Sequence, residues 1–516
     1  MHHIQSCLPV KEAARTSILS KSWLRAWSTN PTLRFDARRG KSMKLVDVDR
    51  TLIRYLRDNI PIESFDLQIA IENQESASLA EKWIGPVASK TSLKEFSLMV
   101  LLMGGSFTLP DEILSGENIT KLRVTSPSYD LSMGCLTRMK TPVVKCVFLR
   151  ELHLDRVSIS KKALHDILSS CSLLETIELL HCCNGFKSIK VKNFPRLRVL
   201  RISLDDDRCS YATALEISDV PNLDIFSYNL HVSGAQMPII PFNAHSISLG
   251  SNVTELELGG VILDNECLDK IQSGFPFLRI FTLRLSSWKL GSFHFTCVSL
   301  RNLSLLLCPH SLIDVEVHAP KLLFFRLVAC TMPSLLFPVS SLRRITVSLK
   351  LKDPVDANFF LKTREALTLT RNYHLHLMTK LPFNIDMDDL KTRLLLPPAT
   401  NMQELSFETR GDECVWERSL FFDAFFQICR PKRVVAQPDA IFRDNNHFCR
   451  LMLREVLDKK TTTTTATATA YWPHYLKCVQ IRHDDFDNWK TLTNSHRSFL
   501  DGSAPRVYMH FNLKWH

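Results

Sequence analysis

Glycine is scarce in this chain, at 15 of 516 residues, or about 3% where ~7% is usual. No glycine-rich loop of the kind that cradles phosphate is present. The paired glycines of "MGGSF" at 103–107 lack a following lysine and read as a turn. Long apolar runs are missing too: the longest, "LMVLLM" at 98–103, is far too short to span a bilayer. The opening "MHHIQSC" has neither the charged nor the apolar region of a secretory signal. The 15 cysteines are an odd number and never form a CxxC pair. That favours reduced thiols in cytoplasm or nucleus over a disulfide framework or a zinc site. "HCC" at 181–183 has no second ligand pair at finger-like spacing, so no metal is expected there.

Catalytic constellations are absent as well. "DDD" at 205–207 suits a solvated loop tip, and "HLH" at 374–376 is expected to divide between core and surface. "RPKR" at 430–433 fits a nuclear-import signal less well than a solvated helix end. The expectation is a non-catalytic protein without a cofactor. Aromatics are not interleaved with basic residues, and no nucleic-acid-binding motif occurs.

What is present is apolar and basic. Apolar residues make up 45% and charged residues 23%, the mixture of a folded chain, and the net charge is +11. Residues 1–46 hold nine Lys/Arg and two Asp/Glu, so 9 − 2 = +7 of that surplus lies there. A basic surface of this kind attracts an acidic partner. Without base-stacking aromatics, an acidic protein fits better than nucleic acid.

One hexapeptide pattern, apolar-x-x-apolar-x-apolar, recurs along the chain. It reads "LKEFSL" (93), "ITKLRV" (119), "LRELHL" (149), "LETIEL" (174), "LRVLRI" (197), "LDIFSY" (223), "VTELEL" (253), "LRIFTL" (278), "LRNLSL" (300), "LLFFRL" (322) and "LRRITV" (342). Successive starts lie 20 to 30 residues apart, close to the ~20–29 period of leucine-rich repeats. Cys182, Cys308 and Cys330 occupy the template's inward Asn/Cys slot. The fold class expected is therefore α/β: a leucine-rich-repeat solenoid of stacked parallel strands, with helices or loops on the convex side. "SISKKALHDILSSCSLLETIEL" predicts one capped amphipathic return helix. Proline at the junctions ("FPRL", "VPNL", "FPFL", "APKL") points to loops or single turns elsewhere.

Beyond residue 350 the pattern loosens. "NFFLKTREALTLTRNYHLHL" predicts one degenerate repeat, and "WERSLFFDAFFQICRPKRVV" and "NNHFCRLMLREVLDKK" predict amphipathic helices. "TTTTTATATA" at 461–470 reads as a low-complexity loop. Two further hexapeptides, "MQELSF" (402) and "LKCVQI" (476), stand beyond longer gaps, and "YWPHYLKCVQIRH" and "RVYMHFNLKW" predict closing strands. Terminal repeats must shield the apolar end of such an array, which gives this region a capping role.

The N-terminal "LPVKEAARTSILSKSWLRAW" predicts two short helices. Pro9 suits a first turn. Val10, Ala13, Ala14, Ser17 and Ile18 share one helical face, and Leu19, Trp23 and Trp27 form a second stripe behind a Ser20 cap. With its repeats, this stretch resembles the second half of the F-box in plant F-box proteins with leucine-rich repeats. The resemblance rests on Leu-Pro, the Ala-Ala-Arg-Thr-Ser core, "LSKSW" and the second tryptophan, and "FFDAFFQICRPKRV", "FCRLMLREVL" and "YWPHYLKCVQI" extend it to the C-terminal region.

That resemblance implies an arrangement in three parts: a partial F-box over 1–46, leucine-rich repeats over 47–350, and degenerate repeats with a cap over 351–516. Family members begin with a further helix that has its own Leu-Pro start. Met1 enters partway through that helix, so the F-box is expected to be N-terminally truncated. The resemblance further implies a substrate-recognition subunit of an SCF-type (Skp-cullin-F-box) ubiquitin ligase. An acidic Skp-type adaptor, and through it a cullin, would be held by Leu8, Pro9, Val10, Ala14, Ile18 and Leu19. Trp23 and Trp27 would divide between core and interface.

The alternative is a repeat scaffold that no longer recruits a ligase. An α/β-barrel enzyme is weaker still, since its strands would not repeat a single template. The target protein would meet the variable strand positions, with Arg150, His153, Arg198, Arg201, Glu255, Glu257 and Arg301 as candidates alongside Glu175, Glu178, Arg279 and Arg343. No target can be named from these residues, and no membrane partner is expected.

Overall fold

A computed structural model describes residues 1, 4–5, 8, 10–38, 45–103, 106–127, 137–139, 144–182, 188–206, 214–232, 247–261, 263–285, 291–307, 312–340, 342–351, 355–379, 385–394, 396–409, 420–437, 446–458, 475–483, 488–500 and 509–516. Two compact units divide the chain, Met1–Gly260 and Val261–His516. Both are built on parallel strands, as the repeat requires.

In the first unit the strands are β1 (Thr32–Ala37), β2 (Ser64–Ile71), β3 (Glu95–Leu102), β4 (Phe107–Leu109), β5 (Lys121–Thr125), β6 (Thr137–Met139), β7 (Glu151–Asp155), β8 (Val157–Ile159), β9 (Thr176–Leu180), β10 (Ser188–Lys192), β11 (Val199–Asp206), β12 (Ala214–Val220), β13 (Ile225–Val232), β14 (Ile247–Leu249) and β15 (Glu255–Gly259). The main ladder runs β1-β2-β3-β5-β7-β9-β11-β13-β15, parallel throughout.

Its register turns each apolar position of the hexapeptide into a continuous column. Leu33, Phe65, Phe96, Leu122, Leu152, Ile177, Leu200, Phe226 and Leu256 face one another strand by strand, all buried. A second column two residues on runs from Phe35 to Leu258, and the leading apolar residues from Ile62 to Val253 fill a third layer. A strand displaced by one residue would turn its whole apolar set outward, so the register is strongly specified. The first two rungs, β1 and β2, come before the first hexapeptide identified from sequence. Ile62, Phe65 and Leu67 nonetheless fit the template.

Return segments are more varied than the helices or loops expected. Three short parallel ladders occupy this side of the repeats: β4-β6-β8, β10-β12-β14 and, in the second unit, β17 (Ser292–Thr296), β19 (Asp314–His318) and β21 (Ser334–Leu336). Helices appear where the segment is long enough. They are α3 (Leu45–Arg57), α4 (Gln74–Ala88) and α5 (Lys161–Ser170), following the N-terminal α1 (Val10–Thr16) and α2 (Lys21–Ser28). Helix α4 starts with a reciprocal capping box between Asn73 and Ser76. Its fully buried Trp83 donates its indole N–H to Asp49 Oδ1 of α3 at 2.8 Å, which holds that carboxyl below its ordinary value. Helix α5 is capped by Ser160, as the amphipathic pattern predicts. Cys182 is buried, its Sγ 3.5 Å from Leu154 O, and Cys330 is buried likewise. Cys308 lies outside the described residues.

At the end of the first unit Gly260 adopts φ +67°, and a Cβ there would lie 2.2 Å from Leu230 O. Only glycine makes that close approach without a clash.

The second unit contains α6 (Asn265–Gly274), β16 (Ile280–Arg284), β17 (Ser292–Thr296), β18 (Asn302–Leu306), β19 (Asp314–His318), β20 (Phe324–Ala329), β21 (Ser334–Leu336), β22 (Arg344–Leu351), α7 (Ala357–Ala366), β23 (Tyr373–Thr379), α8 (Met387–Arg393), β24 (Met402–Thr409), α9 (Leu420–Ile428), β25 (Arg433–Gln437), α10 (Asn446–Leu457), β26 (Leu476–His483), β27 (Lys490–Thr491) and β28 (Met509–Trp515). Its strands continue in parallel as β16-β18-β20-β22-β23-β24-β25. The series then reverses: β28 pairs antiparallel with both β25 and β26. Behind this end, Phe359, Phe360, Phe407, Phe422, Phe425 and Phe426 form an aromatic cluster with edge-on and stacked contacts. Residues 461–470 lie outside the described residues.

The "HLH" triplet divides between core and surface as expected: Leu375 is buried, and His374 and His376, two apart on β23, share its open face. One sequence expectation needs correcting. Arg430 of "RPKR" is not a solvated helix end. Its guanidinium lies 5.1 Å from the Tyr475 ring and 6.0 Å from Trp515, and it donates to His516 O at 3.2 Å.

Phe425, fully buried against Phe360 and Phe407, is the most direct probe of this closure. Phe425→Ala is expected to destabilise the second unit by about 3–5 kcal/mol, read by urea unfolding, with earlier proteolysis after residue 351. An unchanged unfolding midpoint would contradict the cluster's structural role.

Candidate functional site

Helices α1 and α2 form a pair with little core of its own. Thr16 and Ser17 turn their hydroxyls back to Ala13 O and Ala14 O, each at 2.6 Å, and the helix stops. Ser20 then caps α2, accepting from Trp23 N–H at 3.3 Å. Between the two helices Gln5, almost wholly buried, donates to Thr16 Oγ1 at 2.9 Å and Trp23 O at 3.3 Å. Ala13 and Ala26 are the buried apolar residues of this pair.

Because α1 ends at Thr16, Ile18 and Leu19 fall in the turn and not on a buried face. They are 84% and 67% exposed, and Ile4 and Leu24, elsewhere in this segment, are more than half exposed. Single exposed apolar residues are ordinary, but two large neighbours in one turn mark a face without a partner. Leu8, Ala14, Trp23 and Trp27 are half-buried. Pro9 and the Val10 side chain lie outside the described residues. Leu8 and Trp27 also border a cavity of about 470 Å³ against β1 and α3, where Arg34, Arg50 and Arg54 bring cationic groups. Arg54 donates to Ser28 O at 2.9 Å and so holds α3 to the end of α2.

The second candidate surface is the open face of the strands. On the first unit its charges neutralise one another. Arg150 pairs with Glu175 at 2.9 Å and Arg198 approaches Asp224 at 4.0 Å, in a row along the strand starts. Lys121 sits between Glu151 at 3.2 Å and Glu95 at 3.7 Å, which raises its pKa. One row further in, the register places His153, Glu178 and Arg201 side by side. His153 Nδ1 meets Glu178 Oε2 at 2.6 Å, and Arg201 pairs with the other carboxylate oxygen. The His153 contact, aided by Arg201 and opposed by partial burial, holds the Glu178 carboxyl down at about 2. Ser227 donates to Glu257 Oε2 at 3.0 Å, and Asn229 donates to Ser227 Oγ at 3.0 Å.

Of the residues expected from sequence to meet a target, Arg150, His153, Arg198 and Arg201 are thus tied to carboxylates, and Glu257 to a hydroxyl. Glu255 stands at the strand start beside Ile225. Arg301, in the second unit, is exposed. Gln5, Lys121 and the Ser227–Asn229 pair were not picked out by sequence reasoning. Aligning the hexapeptides would have found the strand residues, since the register pairs identical template positions. Gln5 carries no such periodic signal.

Among the described residues no cluster of three or more His, Cys, Asp or Glu could hold a metal. Nor, among them, is any helix long and apolar enough to cross a membrane.

Comparison with known proteins agrees with this architecture. Residues 80–248 match the family model described as "FBD-associated F-box protein At5g56370, LRR repeats". The chain is similar to the Arabidopsis thaliana F-box/LRR-repeat protein At5g02910, 27% identical over 310 residues, covering 56% of this chain and 64% of that protein. F-box/LRR-repeat protein At3g59200 of the same plant is 26% identical over 284 residues, covering 51% and 50%. F-box protein At5g03100 is 28% identical over 205 residues, covering 39% and 60%. The chain spans less than two-thirds of the length of each of these relatives.

A depressed carboxyl pKa contributes stability where the carboxylate is charged, and that contribution fades as pH falls from the ordinary 4.5 towards about 2. Glu178→Gln is therefore expected to destabilise the first unit by about 1–3 kcal/mol at neutral pH, with the difference shrinking through that acid window. Urea unfolding of both proteins across the range checks this, and a pH-independent difference would contradict it.

Proposed function

We propose that this chain, a relative of the plant F-box/LRR-repeat proteins, is a substrate-recognition subunit of an SCF-type ubiquitin ligase in the cytoplasm or nucleus. In this reading residues 1–46 are the adaptor handle, 47–350 the receptor face and 351–516 the closing region. The observation that carries it is the exposed apolar turn of Ile18 and Leu19, on a helix pair whose described side chains bury only Ala13 and Ala26 as apolar core. An acidic Skp-type adaptor supplies what this segment lacks, an apolar surface for the turn and negative charge for its nine Lys/Arg. Leu8, Ala14, Trp23 and Trp27, half-buried in the free chain, would be covered further at that contact.

The chain itself performs no bond-making step in this reading. It holds the target near the ubiquitin-transfer machinery, which raises the effective concentration of the target's lysines.

Binding of the full chain to a purified Skp-type adaptor tests the proposal. Ile18→Asp/Leu19→Asp changes two exposed side chains, so the fold is retained while the contact loses apolar burial of about 1.5–3 kcal/mol per residue. The expected result is at least a 100-fold weaker complex. Binding equal to the unsubstituted chain would overturn the assigned contact. No binding by either protein would leave a repeat scaffold without ligase recruitment.

A further inference from the structure

The starts of β16, β18 and β22 in the second unit carry charges of one sign. In the leading row Arg279, Arg301, Leu323 and Arg343 stack directly: Arg301 N–H donates to Arg279 O at 2.8 Å, Leu323 N–H to Arg301 O at 2.8 Å, and Arg343 N–H to Leu323 O at 2.9 Å. The same template position on the first unit reads Arg150, Glu175, Arg198, Asp224, with charges paired along the row. Strands β16, β18, β20 and β22 carry no acidic residue of their own. Residues 276–352 contain ten Lys/Arg and only two Asp/Glu, Asp314 and Glu316. Both acids lie on β19, in the separate β17-β19-β21 ladder, near His294 and His318.

Arg279, Arg301, Arg326 and Arg343 are exposed, and no described carboxylate lies within ion-pair distance of any of them. On the adjoining open face the register sets Phe324 between Asn302 and Arg344. Phe324 is 43% exposed, with Arg326 two residues further along the same face. Neighbouring strands lie about 4.8 Å apart, well inside the ~8–10 Å screening length of physiological salt. The fields of these arginines therefore add, and like charges opposite one another on adjacent strands oppose folding. A bound polyanion would relieve that repulsion.

We infer that this row is a docking surface for an acidic polypeptide segment of the target, lying across the starts of β16 to β22. The inference rests on the receptor reading above and specifies the chemistry of what the receptor takes. Carboxylates would pair with Arg279, Arg301 and Arg343, where guanidinium forks accept them in two-point contacts. An apolar side chain of the same segment would cover Leu323 and Phe324. That apolar break in the row separates a peptide from a phosphate polymer, which has nothing to place on it.

Fluorescence anisotropy with the full chain tests this. The probe is a fluorescein-labelled peptide of roughly twelve residues, mostly glutamate around a central Phe-Leu, which at about 3.3 Å per residue crosses the four strands. Arg279→Glu/Arg301→Glu/Arg343→Glu is expected to weaken binding at least ~30-fold, and the milder Arg-to-Gln triple about 10-fold. The control Lys161→Glu/Lys162→Glu, at exposed positions on the return helix α5 of the first unit, should change it less than about 3-fold. Circular dichroism verifies folding, and the Gln triple decides the matter if the Glu triple does not fold. The inference is overturned by equal binding of the folded triple variant and the unsubstituted chain. Equal loss in the control, or tighter and equally arginine-dependent binding of inositol hexakisphosphate or single-stranded DNA, would overturn it too. The probe needs no adaptor, so a failed adaptor complex with intact peptide binding overturns the ligase reading and leaves this surface standing.

Discussion

Register is the constraint on which the rest depends. A parallel strand displaced by a single residue would carry its Leu, Ile and Phe out to solvent and its charges into the core. The columns that begin at Leu33 and Phe35 and end at Leu256 and Leu258 hold the main-ladder strands of the first unit in line. No rung could bury those side chains alone, so each depends on its neighbours for stability. The same alignment decides what appears on the outer face. Residues at one template position are brought together from repeats 20 to 30 residues apart, so the open face is written by the variable letters of the hexapeptide.

Those letters give the two units different surfaces. On the first, acid and base alternate between neighbouring strands, and the charges are spent on one another, most fully around Glu178. Exposed pairs of this kind add little stability, typically below about 1 kcal/mol each. On the second, the row of Arg279, Arg301 and Arg343 has no acidic residue on its own strands, and Glu404, further along the ladder on β24, lies 3.9 Å from Arg433. An unneutralised row is a better electrostatic target than a neutralised one, because an arriving partner displaces no existing ion pair.

Much of this was legible in the sequence, for a physical reason: strand burial has a period of two and the repeat a nearly constant length, so the hexapeptides announce the ladder directly. The capped helix at Lys161–Ser170 and the Ser20 cap were visible for a similar reason, since a capping side chain acts on a backbone N–H only three residues away. Less legible was whatever depends on distant residues or on length. The return segments became short parallel ladders because they too stack in register, which propensity alone does not reveal. Ile62, Phe65 and Leu67 fit the template but stand a full 31 residues before the first hexapeptide recognised, at Leu93. Ile18 shares a helical face with Ala14 on paper. The helix ends at Thr16, however, so its side chain emerges into solvent. Arg430 reads from the sequence as a solvated helix end, and only the return of Tyr475 and Trp515 from far along the chain shows it as a packed cation.

The central claim is that recruitment and recognition occupy separate parts of the chain, a small helical handle and a repeat face. Hydrogen–deuterium exchange of the full chain, with and without a Skp-type adaptor, tests it most directly. The account predicts new protection confined to the peptides covering residues 1–28, with the strands of both units exchanging as before. Protection that appears on the strand faces and spares residues 1–28 would contradict it.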